Sequence, residues 1–144
     1  MDIIEKLREV LDTDTYVRKD KEAVTQAFRR LNVNVPELVA EFFNNFAGPF
    51  WEEALGMELL DIVDDDVNIE FMTNECRRVH SFPNRFLVLT EMCADEILVL
   101  NTENDKVYRV DFEGGHEDLL NDKLNAEWSS FEAFLIEYFG ICAE

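Results

Sequence analysis

The sequence predicts an α+β fold, with N-terminal helices, a mostly antiparallel sheet and a closing C-terminal helix. Three observations point there. Apolar residues recur at helical spacing in successive stretches before Gly48. Two short runs, Phe86-Leu87-Val88-Leu89 and Ile97-Leu98-Val99-Leu100, are apolar at every position and lead into an alternating run, Val107–Phe112. The segment Ser129–Gly140 carries a cap, a periodic aromatic face and a glycine stop.

Ile3, Ile4, Leu7, Val10 and Leu11 share one stripe, which predicts a helix over about residues 2–12 that Asp12-Thr13-Asp14 breaks. A second helix is predicted over about 20–31, with Val24, Ala27, Phe28 and Leu31 on one side. Arg29 and Arg30 sit in its last turn, where cations suit the helix dipole. The third helix opens at Asn34-Val35-Pro36-Glu37, with Pro36 in the first turn and Asn34 and Glu37 spaced as a capping box. Leu38, Val39, Phe42, Phe43 and Phe46 give it a wide apolar face, and Gly48-Pro49 ends it.

Phe50-Trp51 and Leu59–Val63 read as short strands around a loop. Asp64-Asp65-Asp66 is a turn or a helix start. A helix over about 67–79 follows, with Ile69, Met72, Cys76 and Val79 spaced for one face, ended by Pro83-Asn84. The two all-apolar runs are interior strands, and Glu103-Asn104-Asp105 is a hairpin loop. Val107–Phe112 places Tyr108, Val110 and Phe112 on one face and Val107, Arg109 and Asp111 on the other, as in an outer strand with one wet face. Gly114-Gly115 opens a polar connector reaching Glu127. Ser129 is expected to cap the last helix with Glu132 at its third position; Phe131, Phe134, Leu135, Tyr138 and Phe139 form its apolar face, and Gly140 stops it.

A chain of 144 residues that is 47% apolar with twelve Phe has the material for a core, and a single domain over 1–144 is expected. No apolar run reaches the roughly 18 residues that span a bilayer. MDIIEKLREVLD lacks the features of a secretory leader, so a cytoplasmic location is expected. Cys76, Cys93 and Cys142 have no paired spacing, and reduced thiols are the default. The net charge is −19, but residues 1–30 hold seven Lys/Arg and seven Asp/Glu, whereas residues 31–144 hold six against twenty-five. A field of that sign disfavours nucleic acid and anionic membrane and attracts a basic protein partner. The plainer reading is that acidic charge serves solubility.

No dinucleotide, phosphate-loop, nucleophile-elbow or zinc-protease signature is present, so no catalytic residue, metal or cofactor is assigned and an enzyme is not expected. Cys76 and His80 are one helical turn apart, and Cys93 and His116 are further candidates for a zinc site or a Cys–His pair. Their irregular spacing favours a core thiol and a surface imidazole. Asp61, Asp64, Asp65 and Asp66 lack the EF-hand pattern; they read as a solvated turn capping the next helix, or as part of an acidic docking surface. Trp51 follows a helix end, where an aromatic side chain can anchor a partner, though burial is its default expectation. Trp128 is expected to pack locally at the staple position before the last helix.

With these elements placed, four stretches resemble the SUKH superfamily (Smi/Knr-like) over roughly residues 20–140. They are Val35-Pro36 leading into Phe42, Phe43, Asn45 and Gly48; Ser81-Phe82-Pro83 followed by Phe86–Leu89; Ile97–Thr102 with Lys106-Val107-Tyr108; and Trp128–Leu135. The resemblance implies an α+β fold and no catalysis. It also implies an immunity protein that neutralises a cognate bacterial toxin, frequently a nuclease, by stoichiometric binding. The alternative within the same fold is a regulatory or scaffold module with a non-toxin partner. A nuclease needs a cationic surface to hold phosphates, and an acidic protein can occupy that surface. The candidate partner-binding residues are Trp51, Asp61, Asp64, Asp65, Asp66, Glu91, Asp95 and Glu96.

Overall fold

The computed structural model describes residues 2–11, 13–52, 55–63 and 66–141. Asp64, Asp65 and Cys142 lie outside the described residues. The chain begins with helices α1 (Ile3–Val10), α2 (Thr13–Tyr16), α3 (Lys21–Arg30) and α4 (Glu37–Asn45). A hairpin of β1 (Phe50–Glu52) and β2 (Met57–Leu59) leads to α5 (Ile69–His80). Then come β3 (Phe86–Val88), β4 (Glu96–Asn101), β5 (Val107–Asp111), α6 (Gly115–Leu120) and α7 (Phe131–Phe139). Strands β1 and β2 pair antiparallel, and β3-β4-β5 form a separate antiparallel sheet with β4 in the centre. The α+β class expected from the sequence is the class observed.

Side-chain caps set most helix starts. The carboxylates of Asp2 and Asp20 accept the N–H groups of Glu5 and Ala23 at 3.0 and 3.1 Å, and Asn68 accepts that of Phe71 at 2.8 Å. Two expected caps are corrected. Helix α4 starts at Pro36 with no side-chain cap, so Asn34 is not its cap. Asn34 could cap only if Val35 were helical, and a residue before proline is driven out of that conformation. Helix α7 is capped by Ser130, which accepts the N–H of Ala133 at 3.0 Å, not by Ser129. Trp128 is held extended by a bridge to Val107, so Ser129 makes the turn and the helix begins one residue later. Trp128 packs locally as expected, its ring 5.1 Å from that of Phe134.

The three-stranded sheet divides the interior. Leu87, Leu98, Leu100 and Val107 face the larger core, which α1, α3, α4 and α7 fill with Leu7, Phe28, Phe42 and Phe131 among others. Phe86, Val88, Ile97, Val99 and Val110 face a second core closed by Cys76 of α5 and Leu119 of α6. A sheet covered on both faces needs strands that are apolar throughout, which is why the interior runs do not alternate. In β5, Val107 is fully buried and Arg109 half-buried, so the expected wet face is largely covered. At the centre of the larger core, the ring of Phe42 lies 5.0–6.1 Å from those of Phe43, Phe46, Phe50, Phe131 and Phe139.

Three further readings change. The second strand is Met57–Leu59 and not Leu59–Val63, because Leu60 turns its N–H to the carbonyl of Leu89 (2.9 Å) and Asp61 turns inward. The polar connector contains α6. Its start is organised from outside by Asp111, whose Oδ1 accepts the N–H groups of Glu113 (2.9 Å) and Gly115 (3.0 Å). A Cβ at Gly115 would lie 2.9 Å from that carboxylate, so a larger residue there would displace the Asp111 side chain. Val79 and Val10 do not join the buried stripes to which their spacing assigns them; they are 55% and 52% exposed.

Candidate functional site

The acidic candidates separate into distinct places. Asp61 is not on the surface: it is 1% exposed and forms an ion pair with Arg18, itself 6% exposed. Its Oδ1 also accepts the N–H of Gly48 at 3.1 Å. The Arg18 guanidinium further donates to the carbonyls of Phe43 (2.9 Å) and Phe46 (3.3 Å). A charge this well satisfied serves the interior and is unavailable to a partner, which corrects its place among the binding residues. Asp66 is exposed.

Trp51 departs from its default expectation: it is 57% exposed. The cause is the two-residue period of β1, which sends Phe50 into the core at 1% exposure and Trp51 outward. Trp51 stands opposite Glu58 in the β1–β2 hairpin.

Glu91, Asp95 and Glu96 are brought together by the β3–β4 connection. Cys93 and Glu96 exchange both backbone hydrogen bonds at 2.9 and 3.0 Å around Ala94 and Asp95. Both central residues have positive φ, 51° and 65°, as a tight primed turn requires. Glu91 and Asp95 are exposed, whereas Glu96 is half-buried with Oε1 3.6 Å from Nη1 of Arg109.

Of the chemistry-bearing candidates, Cys76 and His80 lie on α5 and His116 on α6, and Cys93 is exposed. Cys76 is buried, and desolvation pushes its thiol up to about 11, so it stays protonated and unreactive near neutrality. His80 is half-buried against Phe112, ring centroids 4.6 Å apart, and His116 stands 5.4 Å away. Burial and the neighbouring imidazole hold the pKa of His80 below its ordinary value. No three His, Cys, Asp or Glu side chains among the described residues converge to hold a metal ion. Nor, among these residues, is any helix long and apolar enough to cross a membrane.

One feature was not visible in the candidate residues. Phe71, Glu75 and Val79 fall at i, i+4 and i+8 on α5 and form an outward ridge, while Ile69, Thr73 and Cys76 make its buried stripe. Opposite the ridge stands Met92, 50% exposed, just before the acidic turn. The expected face is kept at Ile69, Met72 and Cys76, and Val79 alone leaves it; Thr73, whose hydroxyl accepts the N–H of Val88 at 3.0 Å, joins the buried stripe instead.

The architecture is thus that of an α+β protein whose three-stranded antiparallel sheet is covered on both faces. The chain belongs to the SMI1 / KNR4 family (SUKH-1), whose model matches residues 20–137. That span leaves α1 and α2 outside the match, yet Ile3, Ile4 and Leu7 of α1 are buried in the larger core. No curated protein matches the chain.

Proposed function

We propose that this protein is a non-catalytic immunity protein that binds a basic toxin domain, a nuclease in the first instance, and blocks it stoichiometrically in the cytoplasm. The observation that carries the reading is the SUKH-1 family match, since that family is known for immunity proteins. Charge supports it: the net −19 lies wholly in residues 31–144, most of which the family match covers. A surface of that sign speeds encounter with a phosphate-binding enzyme and competes with its substrate.

Co-expression with the toxin encoded by a neighbouring gene tests this directly. The expected result is rescue of growth and a 1:1 complex on size exclusion, with association that slows as salt rises. A toxin that kills equally well with or without this protein, and does not co-purify with it, overturns the reading. A stable complex with a non-toxin product of that neighbourhood would make the chain a regulatory or scaffold module instead.

A further inference from the structure

The ridge of α5 and the β3–β4 connection enclose an open apolar groove of about 230 Å³. Phe71, Val79 and Met92 flank it at 45%, 55% and 50% exposure, and Phe112, Ile97 and Met72 line it. Three large apolar side chains, each half in water around one concavity, form a contiguous patch and not scattered surface residues. Two of the lining groups are thioethers, whose flexible, polarizable chains adapt to varied apolar partners.

The rim carries the opposite character. Glu75 lines the groove and is paired with Arg78 at 2.7 Å, so the rim's negative charge comes from exposed Glu91 and Asp95, on either side of Met92 in sequence, and from exposed Glu113 after Phe112. His80 also lines the groove, where burial and the neighbouring His116 disfavour its charged form. An apolar floor with an anionic rim selects a ligand that is apolar on one side and cationic on the other. A second copy of a chain with net charge −19, an anionic bilayer and a nucleic acid are each opposed by that rim.

We propose that this groove is the docking site for a cationic amphipathic segment of the partner protein, apolar side chains seated between Phe71, Val79 and Met92 and Lys or Arg on the acidic rim. The proposal rests on the basic-partner reading above and places recognition on α5 and the β3–β4 connection, apart from Trp51 and Asp61.

Two labelled peptides of equal length and charge test it, one of Leu and Lys patterned as an amphipathic helix and one of Ser and Lys. Anisotropy is expected to show the Leu/Lys peptide binding at least about tenfold tighter, a preference lost in the double variant Val79→Gln, Met92→Gln. Both positions are half exposed, so the fold should persist, checked by an unchanged unfolding midpoint. Methyl spectra should move Met92 and leave the buried Met57 in place. The variant Glu91→Gln, Asp95→Asn should weaken both peptides and flatten their salt dependence.

Equal binding of the two peptides, or a preference that survives in the Gln variant, overturns the groove. So does a dimer in sedimentation that the Gln variant dissolves, which would assign the face to a second copy. So does binding to phosphatidylglycerol vesicles that the same variant abolishes. Growth rescue keeps the two proposals separable: a Gln variant that still neutralises the toxin sinks the groove alone. Selective peptide binding without any rescue sinks the toxin reading alone.

Discussion

The carboxylate of Asp61 closes on the guanidinium of Arg18 in the protein interior, 43 residues away along the chain. The pair ties the segment before α3 to the segment after β2. Through Phe43, Phe46 and Gly48 it also gathers the end of α4.

Replacing one partner of that pair leaves the other charged in a site closed to water. Arg18→Met is expected to destabilise the fold by about 3–5 kcal/mol. The double variant Arg18→Met, Asp61→Asn should lose less than the sum of the singles. Urea unfolding of the four proteins in the cycle measures this; additive losses would mean the two groups act independently.

Tyr138 holds the β1–β2 hairpin onto α7. Its hydroxyl accepts the N–H of Leu59 at 3.0 Å and has the carbonyls of Met57 and Phe50 within 2.8 and 2.9 Å. Burial pushes the hydroxyl pKa up to about 12, so it remains a donor at any ordinary pH. Tyr138→Phe leaves the Leu59 N–H without this acceptor and should cost about 1–3 kcal/mol in chemical denaturation. Hydrogen exchange at Leu59 should accelerate in parallel. An unchanged midpoint would show that ring packing alone positions the hairpin.

The turn at Ala94-Asp95 predicts a gain. Asn-Gly is the pair best suited to a primed turn with both central residues at positive φ. Ala94→Asn with Asp95→Gly should raise stability by about 1 kcal/mol, read as a shift in thermal midpoint. No gain would mean that the backbone relaxes freely and stores nothing there.

His80 predicts a pH effect. Its folded pKa lies below the ordinary 6.5, so the unfolded chain takes up a proton that the folded protein resists. The contribution of His80 to stability is therefore complete above 6.5 and is lost as pH falls from there through the folded pKa. Histidine NMR titration should place its midpoint below that of a free imidazole, and His116→Gln should move it back upward. A midpoint at or above 6.5 contradicts the burial argument.

The sequence discloses α1, α3, α4, α5 and α7 because each repeats its apolar residues at a fixed period and most carry their own cap or stop. It discloses β3 and β4 because Phe86–Leu89 and Ile97–Leu100 have no polar side, but only β4 is interior as expected; β3 is an edge strand whose faces are nonetheless both buried. It hides what depends on distant partners. Asp61 sits among other aspartates and looks solvated until Arg18 is placed beside it. Helix α6 is short, begins with Gly115 and takes its cap from Asp111 four residues earlier, so no local period announces it. The exposure of Trp51 follows from strand alternation, which three residues are too few to establish. Of the acidic candidates, Glu91, Asp95 and Glu96 are close in sequence and remain close in space. The groove beside Met92 is less legible, because the period of α5 assigns Val79 to the buried stripe and the structure leaves it exposed while Thr73 turns inward to Val88.

Thr73 has one more effect. The Val88 N–H that it engages belongs to an outer strand of the three-stranded sheet. On the opposite outer strand, Val107 exchanges backbone hydrogen bonds with Trp128 at 3.0 and 3.1 Å. Each border of the sheet is thus stoppered by a part of the chain that is not a strand. A protein with two wholly apolar strands otherwise invites runaway polymerisation, neighbour adding to neighbour. Here each outer strand is engaged at one residue, Val88 by Thr73 and Val107 by Trp128, which works against such addition.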